Sequence, residues 1–429
     1  MRGPDAYPTV SGVAAAARLL SARHPDLVRM RLAGESRTGR PLWLLSVGHG
    51  RRHALVVAGP HADEQAGGGT ALWLAEQAVA DRERLADADL TWDLLLCLDP
   101  DGTVLNQTGP AGRRPPAVHF RHTYRPAARD QPEWASTFRA PGDELPETHA
   151  LLDLIDELRP FVQCTLHGTD VGGARVQLTG EVPGLAEPFG KYAAELDVPV
   201  QTGSYDALFW DCAGPGVNQL PDGPGRERLD GSTWSRPHRH GGLTAAVEVP
   251  MWATRLVADP APHPEPATAL HALADRLRKD GTALTGSLDR ALPLLGDAAA
   301  PDAPDGCAAL LLRGVEQAVG AFAALAADYD ALAADTPVPL TVAHLAALDL
   351  AARRLPLRAA GMLLRLLDAQ PLTDPDPVAE PGRLRARLER RLDAGARELV
   401  MGTDARWVPV YEQVELQART VLATVDRLL

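Results

Sequence analysis

The sequence predicts an α/β fold, a mixed and mainly parallel sheet with helices on both faces, followed by an all-α helical region. Three observations lead there. Short β-type runs alternate with helical patterns up to about residue 257. The stretch Ala258–Pro266 reads ADPAPHPEP, too proline-rich for the interior of a helix or a sheet. Everything after it is rich in Ala, Leu and Arg with helical periodicity. The expected organisation is an α/β domain over 1–257, a linker over 258–266 and a helical domain over 267–429.

The elements follow in order. Val10–Arg23 reads as a helix, with Val13, Ala17 and Leu20 on one face. Strand-like runs occur at Leu42–Val47, Leu55–Ala58, Leu94–Leu98, Phe161–Leu166, Arg175–Leu178 and Leu243–Val249. Helical segments such as Gly69–Ala80 and Glu147–Leu158 sit between several of them. Downstream, about five helices are expected near 267–295, 305–334, 340–368, 381–400 and 407–428. Their apolar stripes read as bundle core, with a homo-oligomer through these helices as a further expectation.

Composition narrows the class. The formal net charge of −13 argues against a general nucleic-acid binder, which carries a basic face. Cys97, Cys164, Cys212 and Cys307 have neither the spacing of a disulfide framework nor that of a zinc finger. Met1–Val10 lacks the basic and apolar regions of a signal peptide, and no uncharged apolar run approaches the roughly 20 residues of a membrane span. The expectation is a cytoplasmic protein without a membrane partner.

Ligands of such folds gather where strands end. After Leu55–Ala58 comes Gly59-Pro60-His61-Ala62-Asp63-Glu64; after Phe161–Leu166 comes His167; Glu248 stands just before Pro250 in the last run. His61 and Glu64, three residues apart at the start of a helix, can face one centre. With His167 they make a two-His, one-Glu set that suits one Zn²⁺ and leaves a position for water. Glu248 would then serve as general base to that water. Each piece has a plainer explanation. With 13 histidines in the chain, one His-x-x-Glu pair is about what chance supplies. A surface His with a first-turn Glu, a satisfied core-edge His167 and an outward-facing Glu248 would account for the same letters.

Taken together, the motifs resemble the zinc metallocarboxypeptidases, the carboxypeptidase A-like family, in a divergent bacterial branch. The resemblance runs from about His24 to Pro250 and includes Gly34–Leu42, His61-x-x-Glu64, Asp99-Pro100-Asp101-Gly102, His167 and Glu248. It implies a metallocarboxypeptidase-like fold and a zinc-dependent hydrolase of a peptide or peptide-like amide next to a free carboxylate. His61, Glu64 and His167 would hold the metal, with Glu248 as base. The family's Asp-x-Asn-Arg motif is altered here to His122-Thr123-Tyr124-Arg125. The resemblance places Arg125 on the substrate carboxylate beside Tyr124 and Arg121 at the oxyanion, with Arg113 and Arg114 as rivals. It implies a mobile tyrosine on the loop before the last strand, and the tyrosines between His167 and Glu248 are Tyr192 and Tyr205. Two other readings accompany it: an aspartoacylase-like zinc amidohydrolase of an acylated amino acid, and a non-catalytic peptide-binding module.

Overall fold

The computed structural model describes residues 5–107, 112–140, 142–204, 207–221, 229, 231–295, 306–336, 339–369 and 380–429. Among the described residues, ten strands form one sheet: β1 (Val28–Glu35), β2 (Pro41–Gly48), β3 (Arg52–Val57), β4 (Leu90–Leu95), β5 (Val162–Gly172), β6 (Arg175–Leu178), β7 (Asp211–Gly214), β8 (Val217–Gln219), β9 (Leu243–Ala253) and β10 (Arg406–Trp407). The order is β1-β2-β4-β3-β5-β9-β6-β8-β7, with β10 on β9. The central strands β4, β3, β5 and β9 run parallel, and antiparallel pairings flank them.

The helices before the last third are α1 (Val10–Arg23), α2 (Gly67–Ala80), α3 (Arg82–Asp87), α4 (Pro100–Asn106), α5 (Pro116–His122), α6 (Ala135–Phe138), α7 (Pro146–Leu158) and α8 (Ala186–Glu195). The apolar runs are explained by burial on both faces. In β3, Ala54 and Val56 pack with the core that includes α1 and α2, while Leu55 and Val57 pack under Leu151, Leu154 and Ile155 of α7.

Two of the sequence motifs support each other. Asp99 caps α4 by accepting from the Gly102 amide at 2.9 Å. Asp101 accepts from the Ser36 and Thr38 hydroxyls at 2.9 and 2.5 Å and so ties the β1–β2 turn to that helix. Further along α4, the Asn106 carboxamide brackets the backbone of Tyr124, donating to its carbonyl at 2.8 Å and accepting from its amide at 2.7 Å. The position of Arg125 is thus set from the Asp99–Gly102 turn.

The last third contains α9 (Pro266–Leu295), α10 (Cys307–Ala334), α11 (Val342–Ala369), α12 (Glu380–Thr403) and α13 (Val410–Leu428), close to the five expected helices. They do not form one separate body. After α12 the chain returns to the sheet: Trp407 of β10 pairs with Trp252 of β9, and α13 packs on β9, β5, α2 and α8. Helices α9–α12 are therefore inserted between a strand of the sheet and the helix that covers it. By length and composition α10 could cross a membrane; here it packs against α9 and α11.

Gln417 of α13 shows what that return accomplishes. Its amide donates to the carbonyls of His167 in β5 and Val247 in β9, at 2.8 and 2.9 Å, and its oxygen accepts from Thr70 at 2.7 Å. The side chain is fully buried. Replacing Gln417 by Leu strands these groups, and each buried polar group without a partner costs about 1–3 kcal/mol. Denaturant unfolding of Gln417→Leu should register a loss of at least that size.

Candidate metal centre and its cleft

Strand β3 ends at Val57, and Gly59 turns the chain with φ +56°, where a Cβ would meet the Cys97 sulfur at 2.9 Å. The turn delivers His61 and Glu64 to the carboxyl edge of the sheet. His167 arrives from β5, and its ring stands 4.8 Å from that of His61, centroid to centroid.

Glu64 joins the two imidazoles. Its Oε1 lies 2.9 Å from His61 Nδ1 and its Oε2 3.0 Å from His167 Nδ1, and Oε2 also accepts from the Gly168 amide at 3.1 Å. On the far edges of both rings stands Glu133, from the loop before α6. Its Oε2 is 3.5 Å from His61 Nε2 and 3.3 Å from His167 Nε2, and its Oε1 accepts from Thr165 at 2.7 Å. His61 Nε2 and Glu133 Oε2 are buried and make no hydrogen bond.

The electrostatics follow from this sandwich. Burial alone would depress the His167 imidazolium, but Glu133 and Glu64 on its two nitrogens push its pKa up to about 10. For His61, burial and the Arg125 cation prevail and lower it. Burial works to raise Glu64, yet His61, Arg125 and His167 hold it well below the usual carboxylate range.

Two donor sets therefore converge. One is His61 Nδ1, Glu64 and His167 Nδ1; the other is His61 Nε2, Glu133 and His167 Nε2. Both have the chemistry that zinc takes. The cleft separates them: a cavity of about 670 Å³ is lined by His61, Glu64 and His167, whereas Glu133 is fully buried and outside its wall. A catalytic ion keeps one position open, and only the Glu64 side offers one. Glu133 is then placed to hold the far nitrogens, as outer carboxylates do for metal-bound histidines.

Glu248 lies in the same cavity wall, paired in register with His167 across β5 and β9. Its Oε2 is 2.6 Å from Arg175 Nη2, and Arg175 faces it from β6. Arg125 also lines the cavity, but its Nη1 reaches Asp63 Oδ1 at 2.8 Å and Glu64 Oε1 at 2.6 Å, and its Nη2 stands 3.1 Å from His61 Nδ1.

Other expectations need correction. Arg121 is not in the cavity wall; it pairs with Asp368 at 2.7 Å and with Glu389 at 3.7 Å. That face of α5 packs on α11 and α12, which draws the guanidinium to their acids. Tyr124 is a core side chain, only 1% exposed. Arg113 and Arg114 border a different hollow, near Trp252 and Trp407. Tyr205 lies outside the described residues. The residues that sequence reasoning missed are Glu133, Arg175 and Arg358. A carboxylate held between Pro132 and Trp134, and an arginine opening the apolar strand Arg175–Leu178, were the available signals.

Residues 13–172 match the family model for zinc carboxypeptidase. That stretch, well under half of the chain, contains His61, Glu64, Glu133, His167 and the Asp99–Gly102 turn. Glu248 and the inserted helices lie beyond it. No curated protein matches. Among solved structures, the chain is similar to a metallo-carboxypeptidase from Burkholderia cenocepacia at 17% identity and TM-score 0.38, covering 56% of this chain and 60% of that one. It is similar to carboxypeptidase A from Helicoverpa armigera at 15% identity and TM-score 0.40, covering 58% and 65%. Bovine thrombin-activatable fibrinolysis inhibitor, solved with a tick carboxypeptidase inhibitor, aligns at 13% identity and TM-score 0.36, covering 57% and 86%.

Two measurements test the centre. Glu64→Gln should abolish stoichiometric zinc in the purified protein, whereas Glu133→Gln should weaken zinc binding about 10–100-fold without abolishing it; the reverse ranking would move the ion to the Glu133 side. Because a ligand must be deprotonated, zinc uptake at about pH 8, below the His167 pKa, should release about one proton beyond that of the zinc-bound water, read with an indicator dye. An isolated histidine would add almost none to the water's proton at that pH.

Proposed function

We propose that the protein is a zinc-dependent hydrolase of metallocarboxypeptidase type, cleaving a peptide or peptide-like amide beside a free carboxylate. The observation that carries this reading is the register pairing of Glu248 with His167, which puts a carboxylate on the same cavity as His61 and Glu64. The family match supports zinc as the ion and peptide bonds as the target. His61, Glu64 and His167 are the residues that would hold one zinc ion, which when bound lowers the pKa of water and polarises a carbonyl.

The chain's own residues account for the rest. A Glu248 oxygen accepts the proton of the attacking water and passes it to the leaving nitrogen. Arg175 holds the Glu248 carboxylate toward the cavity and supplies positive charge for the developing oxyanion, the role that Arg121 is too far removed to fill. The substrate carboxylate enters the cationic part of the cavity, where Arg125, Arg175, Arg354 and Arg358 all reach the wall. Arg125 also keeps Glu64 in place through the ion pair they share.

Glu248→Gln should reduce kcat about 10²–10⁴-fold with zinc content unchanged. C-terminal amidation of a peptide substrate should sharply reduce kcat/KM. Equal cleavage of free and amidated peptides would instead favour the amidohydrolase reading. Loss of zinc with no hydrolysis of any amide would leave the peptide-binding module.

A further inference from the structure

The inserted helices form part of the cleft. Along α10, Gly314, Ala318, Ala321, Leu325 and Asp328 line the cavity, a single helical stripe at intervals of four and three residues, with Gln317 beside it. Trp134 and Trp234, with rings 5.0 Å apart, line the same cavity. His61, Glu64, His167 and Glu248 line it too.

This wall is pinned to the segments that carry the site. Arg358 of α11 places its guanidinium between Asp63, at 3.0 Å, and Asp170, at 2.7 Å, both buried. One of these acids adjoins Glu64 and the other lies three residues past His167. Arg354 donates to Thr169 at 2.5 Å. Arg365 donates to the carbonyls of His122 and Leu105 at 2.9 Å. On α10, Arg313 pairs with Asp130 at 2.8 Å, and Gln317 accepts from the Ala128 amide at 2.6 Å. Gly314 permits the closest approach, since a Cβ there would meet the Arg125 carbonyl at 2.8 Å and the Met362 sulfur at 3.1 Å. With anchors on both sides of the cleft, α10 and α11 act as a fixed wall.

We propose that this wall limits the substrate to short peptides, with an apolar side chain seated between α10 and the two tryptophans. The proposal rests on the peptidase reading and deepens it. The cavity, about 670 Å³, falls in the range of about 300–1,000 Å³ that encloses one small ligand. From Gly314, beside Arg125, to Asp328 at the far end, the stripe is about 21 Å long at about 1.5 Å per helical residue. An extended peptide advances about 3.3–3.6 Å per residue, so about six residues span the wall. The small side chains of Ala318 and Ala321 leave room for the apolar group that Leu325 and the tryptophans would contact. Asp328, further along α10 from the glycine that meets Arg125, is placed to meet the free amino terminus of such a peptide.

The test compares zinc-loaded protein on a dipeptide, a tetrapeptide, a dodecapeptide and a folded protein with an extended C-terminal tail, all ending in the same apolar residue. The proposal predicts kcat/KM at least about tenfold higher for the tetrapeptide than for the dodecapeptide, a gap of about 1.4 kcal/mol, and no cleavage of the folded protein. Ala321 is exposed, so Ala321→Trp should fold normally. Its zinc content should stay at the wild-type level while tetrapeptide cleavage falls further than dipeptide cleavage. Equal rates on long and short substrates, or an unchanged tetrapeptide rate in Ala321→Trp, would overturn the length limit and leave the peptidase reading standing. Failure to cleave any peptide would contradict the peptidase reading itself.

Discussion

The carboxylate of Glu64 organises this molecule. It touches both imidazoles, a backbone amide of β5 and a guanidinium, in a place where burial opposes its charge. A buried carboxylate is costly unless it is paired and hydrogen-bonded, and here four groups drawn from three parts of the chain do that. His61 comes from the turn after β3, His167 and Gly168 from β5, and Arg125 from the segment fixed by Asn106. Removing Glu64 would leave two histidines and an arginine crowded together without the anion that balances them. Glu133 repeats the device on the far side of the rings, so that each histidine lies between two acids. Such a sandwich orients the rings and tunes them at once.

A second constraint comes from the chain's return path. The central strands bring His167 and Glu248 side by side, yet their carbonyl edge near the cleft is completed by Gln417, from a helix near the carboxyl terminus. The intervening helices are docked by arginines on the acids that neighbour the site. Asp63 illustrates the coupling: it takes Arg125 on one oxygen and Arg358 on the other. The inserted helices and the metal-ligand turn therefore share charges, and a change in either is felt by both. Breaking a buried pair of this kind costs about 3–5 kcal/mol because it strands a charge.

Much of this was legible in the sequence. Alternating β and α patterns gave the layered sheet, and the helical periodicities placed the last five helices within a few residues of where they lie. His61, Glu64, His167 and Glu248 could be picked out because each follows or ends an apolar run, and strand ends in a parallel sheet meet along one edge. Arg121 and Tyr124 could not be placed that way. They lie on or beside a short helix whose faces are assigned by packing on α11 and α12, more than two hundred residues away in sequence. Glu133 was hidden for a related reason: it sits in an irregular loop, where no periodicity reports which way a side chain points. The composition shift near residue 258 marked where the inserted helices begin but could not reveal that the final helix rejoins the sheet.

In the proposed centre the ion sits on the cavity side of the two histidines. The most direct measurement is a crystal structure of zinc-loaded protein with data collected on both sides of the zinc absorption edge. One anomalous peak is expected about 2.0–2.2 Å from His61 Nδ1, His167 Nδ1 and a Glu64 oxygen, with Glu133 on the opposite edges of the rings. A peak at bonding distance from Glu133 and the two Nε2 atoms would contradict it, and would make the ion a buried structural one rather than a catalytic one.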